Sequence, residues 1–156
     1  MKNIARLFFA LWYLLGWVIH FYLGIWSPET YEAFSKTALF SPFQWIWFNV
    51  IIPNITIFAL LLAVIEIIIG LMLISKGKWV KLGVILSLIF NFFLVVLGLS
   101  WPAESAYLDF VRNRLPNLAF ATAQIPLLWM QFDQSLLEVI RDKIDAFSKI
   151  RTNLVP

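Results

Sequence analysis

The amino-acid sequence predicts an all-α, polytopic membrane protein: a four-transmembrane-helix bundle carrying short interfacial amphipathic helices. Three observations predict it. Of 156 residues, 62% are hydrophobic and 13% charged, against roughly 45–50% apolar residues in ordinary soluble domains. Apolar runs recur at lengths near the ~20 residues that cross ~30 Å of hydrocarbon at ~1.5 Å per residue. The segments between them are short and rich in Ser, Pro and Trp, residues of helix starts and membrane interfaces. A chain of this length holds one domain, with little left over for a separate soluble catalytic unit.

The first span is expected at about 4–26. It lies close to Met1 and lacks a small-residue cleavage site, so it reads as a retained helix and not a removable signal peptide. In "SPETYEAFSK", Ser27 stands where an N-cap belongs and Pro28 at the first helical position, predicting a short interfacial helix. "SPFQWIW" repeats the device, with Ser41 and Gln44 spaced as a capping box. The second span follows at about 53–74; Pro53 either starts it or kinks a longer helix beginning near Pro42. The polar break "SKGKWVK" is too short to cross anything, so the third span, about 82–100, returns antiparallel to the second.

"WPAESAYLDFVRNRLP" reads as another surface helix, with Leu108, Val111 and Leu115 on one side. The fourth span, about 117–132, is short and contains Gln124 and Pro126. It closes the bundle domain, 1–132. Residues 133–156 form a cytoplasmic amphipathic tail helix. Ser135 and Glu138 have capping-box spacing there, and Leu136, Ile140, Ile144 and Phe147 share a face that lies on the membrane or on the bundle.

Charge distribution sets the orientation. Alternating compartments place Lys2, Arg6, Lys76, Lys78, Lys81, Arg141, Lys143, Lys149 and Arg151 on one side, and Lys36, Arg112 and Arg114 on the other. The excess puts both termini in the cytoplasm. Trp26, Trp45, Trp47 and Trp101 then mark the outer boundary and Trp79 the inner one. The net charge of +3 is a topology signal and not a nucleic-acid surface, so no nucleic-acid partner is expected. A sequence without cysteine excludes thiolate catalysis, disulfide exchange and thiolate metal sites.

Glu66 stands alone in "LLLAVIEIIIGLML". Counted at ~1.5 Å per residue from the inner surface, Glu66 lies at roughly 12 Å, Gln124 at roughly 13 Å and Asn91 at roughly 15 Å, with Tyr13 level on the first span. These four residues are the predicted polar midplane layer and the candidate ligand-binding set. An ionised carboxylate in hydrocarbon is costly, so Glu66 is expected to be neutral unless a cation or a water-filled cavity reaches it. His20, roughly 7–9 Å higher, extends the set to a candidate proton path from Glu66 through a water. A structural reading stands beside the functional one. Glu66 with Asn91 could lock helix packing at a gain of about 0.6–2 kcal/mol per hydrogen bond, and His20 could serve as an interfacial hydrogen-bonder. One His, no Cys and no second acid in any span argue against a metal site. Gly70, Gly83 and Gly98 read as close-packing points.

The stretch "AVIEIIIGLMLISKGKWVKLGVILSLIF", residues 63–90, resembles the central hairpin of the DoxX-like family of small four-helix membrane proteins. The shared pattern is an acid, a glycine one turn later, a Leu-rich helix, a basic turn and a third helix, here Glu66, Gly70, Leu71, Leu73 and the turn 75–81. The opening "ARLFFALWYLLGWVIHFYLG" resembles the family's first helix without its several glycines, and the outer helix at 28–36 and the long tail depart from the shortest members. The namesake proteins are associated with membrane quinone reduction during sulfur-compound oxidation. The resemblance therefore implies Glu66 as a proton donor or hydrogen-bonding group beside a quinone headgroup, with electrons supplied by a partner subunit. The expected location is a prokaryotic plasma membrane.

The first expectation for function is an accessory or structural, non-catalytic subunit of a membrane assembly linked to quinone redox chemistry. The alternatives are a stand-alone binder or carrier of a lipophilic ligand such as quinone or lipid, and a quinone-reducing catalytic subunit. No intrinsic cofactor is expected, only bound quinone or lipid. The expected partners are membrane lipid, other membrane subunits or a second copy of the chain.

Overall fold

The computed structural model describes residues 2–154, with side chains through residue 149. Arg151, counted above among the inner charges, has its side chain outside the described residues. All regular structure among the described residues is helical. Three helices are long and apolar enough to cross a membrane: Lys2–Trp26, Ser41–Ile74 and Lys78–Leu97. The chain is a membrane protein built on these three.

Helix α1 (Lys2–Trp26) buries Arg6, Phe9, Ala10, Tyr13 and Gly24, spaced to share one face, and leaves Phe8, Trp12, Leu15 and Ile19 exposed as lipid-facing surface. Helix α2 (28–35) begins as a 3-10 turn, Pro28–Tyr31, and ends as Glu32–Ser35. Pro28 opens it, but Ser27 makes no side-chain cap, contrary to the sequence expectation.

Helix α3 (Ser41–Ile74) settles the question of Pro53. The helix starts at Ser41 and runs through Pro53 by way of a π turn, Trp47–Ile51, and a 3-10 turn, Ile52–Asn54, before resuming at Ile55. Pro53 has no N–H for the ladder, so the register must shift there. Asn49 and Asn54 donate to the carbonyls of Trp45 and Val50 at 2.8 and 3.0 Å within this disturbed stretch. The expected Ser41–Gln44 capping box does not form. Phe40 is the N-cap, and Gln44 Nε2 instead donates to Ala38 O at 2.9 Å.

Helix α4 (Lys78–Leu97) begins four residues earlier than the sequence suggested. It stops at Gly98, whose φ of +87° few other residues adopt. A Cβ there would also stand 2.6 Å from Thr37 Oγ1. Helix α5 (106–128) unites what the sequence divided into a surface helix and a fourth span: a first turn at Ala106, a π turn at Phe110–Arg114, α-helix from Leu115 to Gln124 and a 3-10 turn, Ile125–Leu128, around Pro126. Its portion beyond Arg114 rises about 23 Å, short of a full ~30 Å bilayer core. Helix α6 (Leu136–Leu154) starts with the expected capping box: Ser135 N donates to Glu138 Oε2 at 2.6 Å, and Glu138 N to Ser135 Oγ at 3.2 Å.

α1 packs mainly on α3, α3 on α4, and α4 on α5. Small residues let α1 and α3 meet: a Cβ on Gly24 would stand 2.5 Å from Ala59 Cβ, and one on Gly70 2.6 Å from Leu14 Cγ. Gly83 does the same between α4 and α3, where a Cβ would lie 2.8 Å from Met72 Cβ.

The two ends of the bundle are distinct. At one, Lys2 Nζ donates to Gln131 O at 2.6 Å, Gly77 N to Phe132 O at 2.7 Å, and Lys76 pairs with Glu138 at 3.1 Å. The start of α1, the α3–α4 turn and the tail therefore share this end. Arg6 lies fully buried here with its guanidinium 4.8 Å from the Phe132 ring centre, and Nη2 donates to Gln134 O at 3.1 Å. At the other end, α2, the start of α3 and the end of α4 gather around a second core that includes Tyr31, Ala38, Trp47 and Leu97, and Ser100 N in the loop after α4 donates to Thr37 Oγ1 at 3.3 Å. Trp47, expected in an interfacial belt, is 3% exposed and donates Nε1–H to Tyr31 O at 2.9 Å. Trp26, Trp45, Trp79 and Trp101 are exposed, as a belt requires.

Candidate functional site

Between the spanning helices lie two buried polar groups, apart from the buried Arg6 at one end of the bundle and Asn113 and Arg114 at the other. The first joins α1, α4 and α5 through Tyr13, Ser87, Asn91 and Gln124, all nearly or fully buried. Asn91 Nδ2 donates to Tyr13 Oη at 2.7 Å and to Ser87 O at 2.8 Å. Ser87 Oγ donates its single proton to Gln124 Oε1 at 2.6 Å. The 2.6 Å contact between Tyr13 and Ser87 must then run from the tyrosine hydroxyl to Ser87 Oγ. Gln124 Nε2 turns back to Phe120 O at 3.2 Å. The principal donors are used within the group, so this lattice is a lock between three helices. Replacing Asn91 by Leu removes two of its bonds and is expected to destabilise the fold by about 1–4 kcal/mol at about 0.6–2 per bond. Thermal unfolding in detergent measures this, and an unchanged midpoint would contradict it.

The second group joins α1, α2 and α3. Glu66 is 5% exposed, on the face of α3 that also buries Ala59, Ala63 and Gly70. Its Oε1 lies 3.9 Å from His20 Nε2, beyond hydrogen-bond reach. His20 Nδ1 lies 2.8 Å from Tyr31 Oη. Burial, and secondarily the charge of Glu66, pushes the Tyr31 hydroxyl up to about 12, so the phenol keeps its proton. Tyr31 donates to Nδ1 in the tautomer with the ring proton on Nε2, where that proton faces Glu66, and accepts from Nδ1–H in the other tautomer. Glu66 Oε2 is buried and has no hydrogen-bond partner among the described residues.

Of the predicted midplane layer, the structure brings Tyr13, Asn91 and Gln124 into one lattice and places Glu66 outside it, next to His20. Ser87, at the centre of the lattice, and Tyr31 were not anticipated. Ser87 is legible in hindsight, because it stands four residues before Asn91 and shares its helix face. No group of three His, Asp or Glu side chains is placed to hold a metal ion among the described residues.

Gly16 separates Glu66 from the lipid-facing side of α1. A Cβ on Gly16 would stand 3.1 and 3.2 Å from the two carboxylate oxygens. Over Gly16 runs an apolar groove of about 360 Å³, lined by Phe8, Leu11, Trp12, Leu15, Gly16 and Ile19. A larger apolar groove of about 490 Å³ lies between α3 and α4, walled by Leu62, Ile65, Leu86, Ile89 and Phe93. No protein-family model, curated protein or solved structure matches the chain.

Proposed function

We propose that this chain is a small integral membrane protein that binds a lipophilic molecule by its polar head at Glu66. In this reading both termini are cytoplasmic, and α5 is a short fourth span beside α4, in a prokaryotic plasma membrane. One observation carries it. Glu66 Oε2 is sealed into the bundle without a partner, whereas the hydroxyls of Tyr13 and Ser87 and the amide nitrogens of Asn91 and Gln124 in the neighbouring lattice are all hydrogen-bonded. A buried carboxyl oxygen without a hydrogen bond costs free energy in any medium that cannot supply one.

The chemistry of the head follows from the two facing groups. A hydroxyl or amine donates to Glu66, and a carbonyl accepts from His20 Nε2–H or from a protonated Glu66. Glu66 Oε1 and His20 Nε2 are 3.9 Å apart, so a single polar atom set beside the pair, and not between them, would reach both within hydrogen-bond distance. The groove over Gly16 supplies aromatic and aliphatic walls for a chain or ring. Quinones and hydroxyl-bearing lipids have this combination, and the DoxX-like resemblance of residues 63–90 favours a quinone. The proton on the His20 ring and the Tyr31 phenol extend the site toward α2 as a path along which a proton could be passed. If the ligand is reduced there, the electrons come from a partner subunit.

The test is extraction of the purified protein with organic solvent and identification of what it carries. A defined lipophile should be enriched over bulk lipid. Gly16→Ala should reduce it about tenfold, equivalent to ~1.4 kcal/mol, with little change in stability, because the new Cβ presses only on the flexible carboxylate end. Extracts with bulk lipid composition alone would sink the carrier reading. The second reading, an accessory subunit, is favoured by the α3–α4 groove, an apolar furrow suited to a partner's membrane helix. Co-purification with a larger cofactor-bearing enzyme would support it.

A further inference from the structure

Helix α6 leaves its apolar side uncovered. Leu136 is buried in the bundle core, but Leu137, Ile140, Ile144 and Phe147 are 68, 40, 62 and 73% exposed. At about 100° per residue, with Leu136 at 0°, these four side chains fall between about 20° and 100°. Arg141 falls at about 140° and Lys143 at about 340°, one at each edge of the apolar face. Glu138, Asp142 and Asp145 fall between about 180° and 240°, on the opposite pole. Sequence order alone gives a mixed-sign tail. Folded as a helix, it is segregated, with bases at the polar–apolar boundary and acids turned away; Lys149 stands with the acids.

The start of α6 is fixed at one end of the spanning helices. The Ser135–Glu138 capping box and the Lys76–Glu138 pair tie it to the α3–α4 turn. The Glu138 carboxyl is held down to about 2 chiefly by the Ser135 backbone N–H, then by Lys76, so this anchor stays ionised at physiological pH. Trp79 and Trp129, both exposed, lie at the same end and mark the level of the membrane boundary. The apolar face of α6 therefore starts where the lipid-facing surface of the spans stops.

We infer that α6 is an interfacial helix that docks on anionic lipid, burying Leu137, Ile140, Ile144 and Phe147 among the acyl chains while Arg141 and Lys143 take headgroup phosphates. Bases flanking an apolar face let their long stems cover hydrocarbon and their charges rise to the phosphate level. Acids on the far pole are kept from the negative surface. A protein partner would not require this segregation of sign; an anionic bilayer does.

The full chain, reconstituted in phosphatidylcholine vesicles with or without phosphatidylglycerol, tests the inference. The sequence contains no cysteine, so Ile144→Cys and Asp145→Cys each carry a single fluorescent label. Lipid-borne quencher should quench the label at 144 and spare the one at 145, and phosphatidylglycerol should strengthen the difference. Adding Arg141→Gln with Lys143→Gln should abolish the phosphatidylglycerol effect. Equal quenching at 144 and 145 overturns the proposal, as does protection at 144 that rises with the protein-to-lipid ratio, which would identify a second copy as the occupant. A phosphatidylglycerol effect that survives the double substitution overturns the role of the two bases.

Discussion

Replacing Arg114 by Leu is expected to destabilise the protein by about 3–5 kcal/mol. The side chain is nearly buried, and its guanidinium closes the end of α4. Nη1 donates to Val95 O at 2.7 Å and Val96 O at 3.3 Å, two of the carbonyls that a helix C-terminus leaves without intrahelical partners. Nη2 donates to Thr37 O, joining the linker before α3, and Nε and Nη2 reach Asp109 Oδ2 at 3.1 Å each. Leu at this position leaves three carbonyls and one carboxylate without their cation. Asp109 retains some access to solvent, which places the loss nearer 3 than 5 kcal/mol. Arg112 is the control. It is exposed and makes one bond, to Pro102 O at 2.7 Å, so Arg112→Leu should cost under ~1 kcal/mol. Unfolding of the three proteins in one detergent checks the ranking, and equal midpoints for the two variants would contradict it.

Glu66 carries the second large effect, on binding. Glu66→Leu is expected to abolish ligand retention while preserving the fold, because no protein hydrogen bond to the carboxylate is lost. A volume-conserving apolar residue at a buried site usually costs less than ~1.5 kcal/mol and can be neutral where the polar group had no partner. Glu66→Gln keeps an acceptor oxygen but cannot exchange a proton. Retention with loss of any turnover would assign Glu66 to proton transfer, and retention of both would assign it to positioning alone. If Glu66→Leu fails to fold while Glu66→Gln folds, the carboxyl is a packing lock and the binding account is wrong.

Three spanning helices were legible because they depend on composition and length, which lipid reads directly. Azimuth was not. Depth counting placed Glu66, Asn91, Gln124 and Tyr13 at one level, but level does not fix which way a helix turns. In α3, Ala59, Ala63, Glu66 and Gly70 share the face against α1, where small residues permit close approach. In α4, Val80, Val84, Ser87 and Asn91 share the face that meets Tyr13 and Gln124. The two carboxamides and the carboxylate are thereby assigned to different interfaces. Pro53 was ambiguous because a proline both opens helices and survives inside long ones when nearby side chains bond the disturbed backbone, as Asn49 and Asn54 do. The Arg114 cluster was hidden by its spacing. Asp109 and Arg114 are five residues apart, and only the π turn Phe110–Arg114 brings them to one side. Trp47 was misplaced for a related reason, since the helix that carries it starts twelve residues before Pro53 and turns the indole inward.

The central claim is that Glu66 meets a ligand's polar head. Its most direct test is an experimental density map of the protein purified from its own membrane, inspected at the groove over Gly16. The account predicts non-protein density in that groove, with a polar atom within hydrogen-bond distance of Glu66 Oε2 or of the His20 Nε2–Glu66 Oε1 pair. Density for ordinary acyl chains alone, with Glu66 Oε2 bonded to a protein group, would contradict it.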